Sequence, residues 1–207
     1  MLLQVKKYSG KLLLPLAKKI KRIPANYFTL AGLVSAIVAF FGFLFQNIVI
    51  IIVFLFVTEF FDQLDGIVAR LQGPTKLGSF LDSTLDRIGD FVLFFGLILG
   101  YTSVYGYSFT VLGLIAVSGA FLTSYTRAKI EALGIDNLYG VGILERTDRV
   151  PIMLIGSIFQ IWFIYALWWT IVFLAIGTSI TVIQRIVYAI KHFSKKKDDP
   201  FEENDDR

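Results

Sequence analysis

"DQLDGIVARLQGPTKLGSFLDSTLDR", residues 62–87, gathers four aspartates in a chain that is 56% hydrophobic and 15% aromatic. Outward from this stretch, charge vanishes in blocks. No Asp, Glu, Lys or Arg occurs from Pro24 to Thr58, from Phe91 to Thr126, or from Val150 to Gln184. A helix crossing the hydrocarbon core needs about 20 mostly apolar residues, so each block has room for most of two such helices and a turn. Breaks near the midpoints, "FQN" at 45–47 and "GYTSVYGYS" at 100–108, mark two of the turns. The aromatic run "YALWW" at 165–169 marks the third and suits a membrane interface. The sequence therefore predicts an all-α integral membrane protein. Six transmembrane helices form three hairpins, preceded by an N-terminal amphipathic interfacial helix. The expected organisation is a juxtamembrane helix over 1–22, a six-helix domain over 23–192 and a disordered charged tail over 193–207.

Basic residues orient the bundle. Seven lie between Lys6 and Arg22, and others fall at Arg70, Lys76, Arg127, Lys129, Arg146, Arg149 and from Arg185 to Lys197. The three opposite turns carry no charge, so the positive-inside rule places both termini and the aspartate stretch in the cytoplasm, at the inner membrane. The chain has no cysteine, which excludes disulfide and thiolate chemistry. Its one histidine, His192, follows the last apolar block, so a histidine base or ligand inside the bundle is excluded as well.

Placing Asp at a helix centre in a membrane costs roughly 2.5–3.5 kcal/mol on insertion scales, so four of them need compensation. Asp62 and Asp65 are three apart, with Gly66 and Ala69 continuing the same helical stripe. Gly78, Asp82 and Asp86 repeat at four and four, on one stripe of the following helix. A short link with a Gly-Pro turn signal, residues 71–77, makes the two helices antiparallel neighbours whose stripes face each other. Converging carboxylates repel unless cations lie between them. Oxygen-only ligands favour hard ions such as Mg²⁺, Mn²⁺ or Ca²⁺, and three or four carboxylates can hold a pair of ions that handles phosphate esters. Solvated or Arg-paired acids at helix ends are the plain alternative. That alternative leaves Gly66, Ala69 and Gly78 beside the aspartates unexplained.

The pattern Asp62-x-x-Asp65-Gly66-x-x-Ala69-Arg70, then Gly78-x-x-x-Asp82-x-x-x-Asp86, resembles the signature of the CDP-alcohol phosphotransferases, with the link one residue short of the expected spacing. The resemblance implies a six-helix fold, usually homodimeric, that moves a phosphoalcohol from a CDP-alcohol to a second alcohol and releases CMP. It further implies that Asp62, Asp65, Asp82 and Asp86 ligate metal, with two Mg²⁺ or Mn²⁺ ions expected. Asp86 is also implied as the general base. Asp65, Gly66, Ala69 and Gly78 would line the site of the CDP-lipid, Arg70 would pair with a motif aspartate or a phosphate, and Asn26 would stand near the nucleotide. Asn26 equally reads as the cap of the first transmembrane helix.

"SYTRAKIEALGIDNLYGVGILERTDRV", residues 124–150, carries the cations expected for the second substrate. Arg146 and Arg149 share a helix face, and Arg127 and Lys129 add charge nearby, so the predicted acceptor bears a phosphate. The stretch resembles the branch of the family that makes phosphatidylinositol phosphate or its archaeal ether-lipid counterpart, which implies inositol 1-phosphate. Glycerol 3-phosphate is the alternative acceptor. The same cations also satisfy the positive-inside rule and can pair with Glu131, Glu145 and Asp148. Expected partners are thus a CDP-lipid, a small phosphorylated alcohol, membrane lipid and a second copy of the chain, with no nucleic acid. A divalent-cation transporter is the rival outside enzymes, since membrane carboxylates mark ion paths. Against it, the acids stay at one side and no polar relay crosses the bundle. An inactive helical scaffold is the second rival, and it needs no small residues beside the acids.

Overall fold

The structure, a computed structural model, describes residues 12–135, 138 and 140–197. Residues 1–11 of the expected juxtamembrane helix and the tail from 198 onward lie outside the described residues. The chain is an α-helical membrane protein. Helix α1 covers 12–20, followed by α2 (Ala25–Leu44), α3 (Ile48–Gln72), α4 (Lys76–Tyr105), α5 (Tyr107–Ala132), α6 (Arg146–Phe159) and α7 (Ala166–Lys197). Helix α7 runs past residue 193, where the sequence places the start of the tail.

Among the described residues four helices, α2, α4, α5 and the 166–194 part of α7, are long and apolar enough to cross a membrane. Six comparable spans are expected from the charge-free blocks, and the difference lies in α3 and α6. Helix α3 has 25 residues, but Glu59, Asp62, Asp65 and Arg70 occupy its second half. Helix α6 has only 14 residues, about 21 Å at 1.5 Å per residue against a hydrocarbon core of about 30 Å. After it the same charge-free block spends residues 160–165 on turns before α7 begins. Absence of charge does not distinguish helix from apolar turn.

The two helices of each expected hairpin, α2 with α3, α4 with α5 and α6 with α7, pack on each other, and further packing joins the hairpins. Helix α2 packs extensively against both α3 and α4, α5 packs along α7, and α6 bridges α3 and α7. Helices α3 and α4 share almost no surface along their lengths, although only residues 73–75 separate them. The expected direct pairing of these two helices is thus replaced by a wedge, with α2 inserted between them. Gly73 makes the sharp joint with φ 91°, a left-handed value that favours glycine. Small residues bring α2 close to α4. A Cβ on Gly100 would collide with the Phe43 carbonyl, so the backbones touch there, as small residues permit in membrane bundles. Phe43, Leu55, Phe94, Leu97, Phe109 and Leu174 fill the main core.

A second, smaller core joins α1 to α3. Ala17 is buried against Leu64, Ile67 and Val68, with Leu13, Leu14 and Ile20 around it. Lys18 and Lys19 lie on the exposed side of α1. The wedge between α3 and α4 leaves a space at their joined ends, roofed by the start of α2, and this is where the aspartates meet.

Candidate active site

Helix α3 sets Asp62 and Asp65 one turn apart near its end, and α4 sets Asp82 and Asp86 one turn apart near its start. Thr75 fixes where α4 begins: its side chain accepts a hydrogen bond from the Gly78 N–H at 3.0 Å, an N-cap that satisfies one orphan donor. Asp65 is 4% exposed. The carboxyl of Asp86 is 9% exposed and that of Asp62 23%.

Arg146, the first residue of α6, enters this group. Its Nη2 donates to Asp62 Oδ1 at 2.9 Å, and its Nη1 is ion-paired with Asp86. One guanidinium thus bridges α3 and α4 across the wedge. Two spaces lie side by side here, and the bridge borders the narrower one. A narrow one of about 40 Å³ is lined by Asp62, Asp65, Asp86, Asp90 and Arg146. A wider cavity of about 360 Å³ is lined by Asn26, Asp65, Gly66, Ala69, Gly78 and Asp82, together with Gln72 and Thr75. Asp65 and Thr29 belong to both walls.

Gly66 is the informative glycine of the wide cavity. A Cβ there would meet only the tip of Arg70, 3.7 Å from Nη1, so no packing within the protein calls for glycine. Glycine in a helix interior costs about 1 kcal/mol relative to alanine. The small residue therefore keeps the cavity wall low. At Gly78 a Cβ would press on Thr75 Oγ1 at 2.9 Å and lie 3.4 Å from Asn26 Oδ1, so this glycine serves the local cap as well as the cavity.

The donor set suits hard divalent cations. Asp65 Oδ2 is buried with no hydrogen-bond partner, the condition that a bound cation relieves. Among the described residues no three acidic side chains are arranged around one ion position. The carboxylates Asp62 and Asp86 instead face the guanidinium of Arg146.

The family model of CDP-alcohol phosphatidyltransferases matches residues 22–183, most of the helical bundle and the whole aspartate motif. The chain belongs to this family. It is therefore a membrane transferase of the phosphotransferase type that acts in phospholipid synthesis. It is 38% identical over 179 residues to the archaetidylinositol phosphate synthase of Methanothermobacter thermautotrophicus, with 84% of this chain and 86% of that protein covered. Among solved structures it is similar to the phosphatidylinositol phosphate synthase of Mycobacterium tuberculosis with CDP-DAG bound, at a TM-score of 0.76 and 27% identity, covering 86% of this chain and 94% of that one. The same enzyme in complex with manganese and citrate matches at a TM-score of 0.67 and 27% identity, covering 85% of this chain and 88% of that one.

Within this family member, the motif aspartates, glycines and alanine line the two spaces, with Arg70 beside Gly66, whereas the four anticipated acceptor cations do not gather in one place. Arg146 is in the narrow space. Arg149 is 1% exposed, donates to Asp90 at 2.5 Å and to the Ala120 carbonyl at 2.9 Å, and lines neither space itself. Arg127 pairs with Glu131 at 2.8 Å on the surface of α5. Lys129 lines an apolar groove between α5 and α7 with Ile130, Ile186 and Ile190. Asn26 does not cap α2. Pro24 occupies the cap position with no side-chain bond, which puts Asn26 inside the first turn, facing Gly78.

Sequence reasoning passed over Arg185 and Gln72. Arg185 is 2% exposed, and its guanidinium donates to the carbonyls of Val141 and Thr123, tying the segment before α6 to α5 and α7. A charge-neighbour signal existed for Arg185, the first cation after the last apolar block. None existed for Gln72, whose role depends on which chain segment folds next to it.

Proposed function

We propose that this enzyme transfers a phosphatidyl or archaetidyl group from a CDP-lipid to inositol 1-phosphate, releasing CMP. The observation that carries this reading is that Asp65 and Thr29 line both the wide cavity beside Gly66 and the narrow space holding Asp62, Asp86 and Arg146. The nucleotide half of the CDP-lipid occupies the wide cavity against Gly66, Ala69 and Gly78, with Asn26 at its edge and Arg70 alongside. The diphosphate then reaches Asp65 and Asp82. Asp62, Asp65, Asp82 and Asp86 would hold two divalent ions, Mg²⁺ or Mn²⁺. When bound, such ions neutralise the diphosphate and the charge that builds up on departing CMP.

The acceptor hydroxyl oxygen forms a bond to the phosphorus that carries the lipid, and the bond from that phosphorus to the CMP oxygen breaks. Asp86 receives the hydroxyl proton. Arg146 binds the phosphate of the acceptor through paired N–H groups. Little covalent work falls to the protein, so positioning dominates. Arg149 supports this step through Asp90. The finer topology belongs to the same reading: α3 and α6 complete six spans, α1 lies along the inner leaflet, and both termini and the site face the cytoplasm. So does the homodimer.

The test is CMP release by the purified enzyme with CDP-archaeol or CDP-diacylglycerol, Mn²⁺, and inositol 1-phosphate, glycerol 3-phosphate, inositol or serine in turn. Turnover with inositol 1-phosphate above all others is expected. Preference for glycerol 3-phosphate transfers the assignment to that acceptor. No CMP with any acceptor, together with Mn²⁺ flux into liposomes carrying the protein, would replace the enzyme reading by transport.

A further inference from the structure

We infer that Gln72 is a positioning residue for the nucleotide, acting as a clasp between the end of α3 and the start of α2. This rests on the CDP-lipid reading of the wide cavity. Gln72 is the last residue of α3, three positions after Ala69 and seven after Asp65. Its Nε2 donates to the carbonyls of Lys21 at 2.8 Å and Ile23 at 2.6 Å, and its Oε1 accepts from the Ala25 N–H at 3.1 Å. Three bonds from one carboxamide hold a segment some 50 residues away in the chain.

The clasp matters because of how α2 and α3 are connected. Their covalent turn, Phe45–Asn47, lies at the far end of both helices. The 20 residues of α2 put that turn about 30 Å from Ala25. At the motif end, nothing covalent stops the two helices from splaying. The start of α2 also has no side-chain cap of its own, and the Ala25 N–H is one of the orphan donors of a helix N-terminus. Gln72 supplies the missing acceptor in trans and adds two donors to the preceding link.

What the clasp positions is one wall of the cavity. Pro24, Ala25 and Asn26 form that wall opposite Gly66 and Gly78, and Asn26 Oδ1 approaches the position of a Gly78 Cβ to 3.4 Å. A small outward swing of α2 would widen the cavity and withdraw Asn26. Gln72 itself has no donor left for a ligand, because a carboxamide carries two N–H bonds and both are engaged. It therefore acts through Ala25 and Asn26. The groups that Gln72 holds, Lys21, Ile23 and Ala25, lie outside the lining of the narrow space at Arg146, so the effect falls chiefly on the nucleotide.

The experiment compares wild type with Gln72→Met and Gln72→Glu, as full-length enzyme in detergent with Mn²⁺. Methionine keeps the length without hydrogen bonds, and glutamate keeps an acceptor while losing both donors. CDP affinity by isothermal titration is expected to fall about tenfold in both, the scale of one or two lost hydrogen bonds. KM for the CDP-lipid rises in parallel, while kcat and KM for inositol 1-phosphate stay within about twofold. A lowered melting temperature with unchanged CDP affinity overturns the inference, as does an equal rise in both KM values. Wild-type enzyme that binds no CDP overturns the cavity assignment and this inference with it. Wild-type binding that the variants match removes only the clasp.

Discussion

Arg149 on α6 donates to Asp90 on α4 across 2.5 Å, one helical turn along from the pairing of Arg146 with Asp86. The two arginines are three apart and the two aspartates four apart, so α6 is fastened to α4 by two successive rungs. Arg149 is deeply buried, while Asp90, Asp86 and Arg146 border the narrow space. Breaking a buried pair by removing one partner leaves an uncompensated charge and typically costs about 3–5 kcal/mol. Arg149→Met should therefore lower the melting temperature of the enzyme in detergent strongly, and Arg149→Met with Asp90→Leu should recover much of the loss. A stable Arg149→Met enzyme whose only defect is a raised KM for inositol phosphate would show instead that Arg149 touches the acceptor.

Arg146 occupies the two carboxylates, Asp62 and Asp86, that the reaction assigns to metal. A guanidinium and a divalent cation compete for the negative charge of those carboxylates. Arg146→Ala should thus tighten Mn²⁺ binding, measured directly by isothermal titration without substrate. It should also raise KM for inositol 1-phosphate by about tenfold or more, the scale of a lost charge-assisted hydrogen bond. Weaker Mn²⁺ binding in the variant would contradict the competition.

Glycines separate packing from ligand space. Gly100→Ala drives a methyl into the Phe43 carbonyl, and overpacking of this kind costs about 1–3 kcal/mol. Gly66→Ala meets only a flexible arginine tip, so stability should hold or improve while CDP affinity falls. Gly66→Leu should abolish CDP binding with the fold intact. Melting curves and CDP titrations on the three variants decide the matter, and unchanged CDP affinity in Gly66→Leu would place the nucleotide elsewhere.

Asp86→Asn keeps the size of the side chain and removes the proton acceptor. CMP release should drop by about a hundredfold or more, in the range typical of a general base. CDP binding in the presence of Mn²⁺ should stay substantial. Full turnover in that variant would pass the role of base to another carboxylate.

Much of this was legible without coordinates. The spacing of Asp62, Asp65, Gly66, Ala69 and Arg70, then Gly78, Asp82 and Asp86, carried the family, and the charge-free blocks carried the membrane class. The acceptor side was legible only in part. Arg127, Lys129, Arg146 and Arg149 cluster in sequence, yet only Arg146 reaches the aspartates, because a helix start, a buried α6 face and an exposed α5 face send neighbouring cations in different directions. The partners of Gln72 and Arg185 are backbone groups, which every residue has, so no pattern of side chains could announce them.

Local spacing and hydropathy fixed which side chains share a helix stripe and which segments are apolar, since both follow from the period of a single helix. The wedge of α2 between α3 and α4, the arginine bridging Asp62 to Asp86, and the clasp of Gln72 on Ala25 were decided only in three dimensions. Each depends on how close separate helices approach, and that distance is set by small residues such as Gly100 packing against segments far away in the chain.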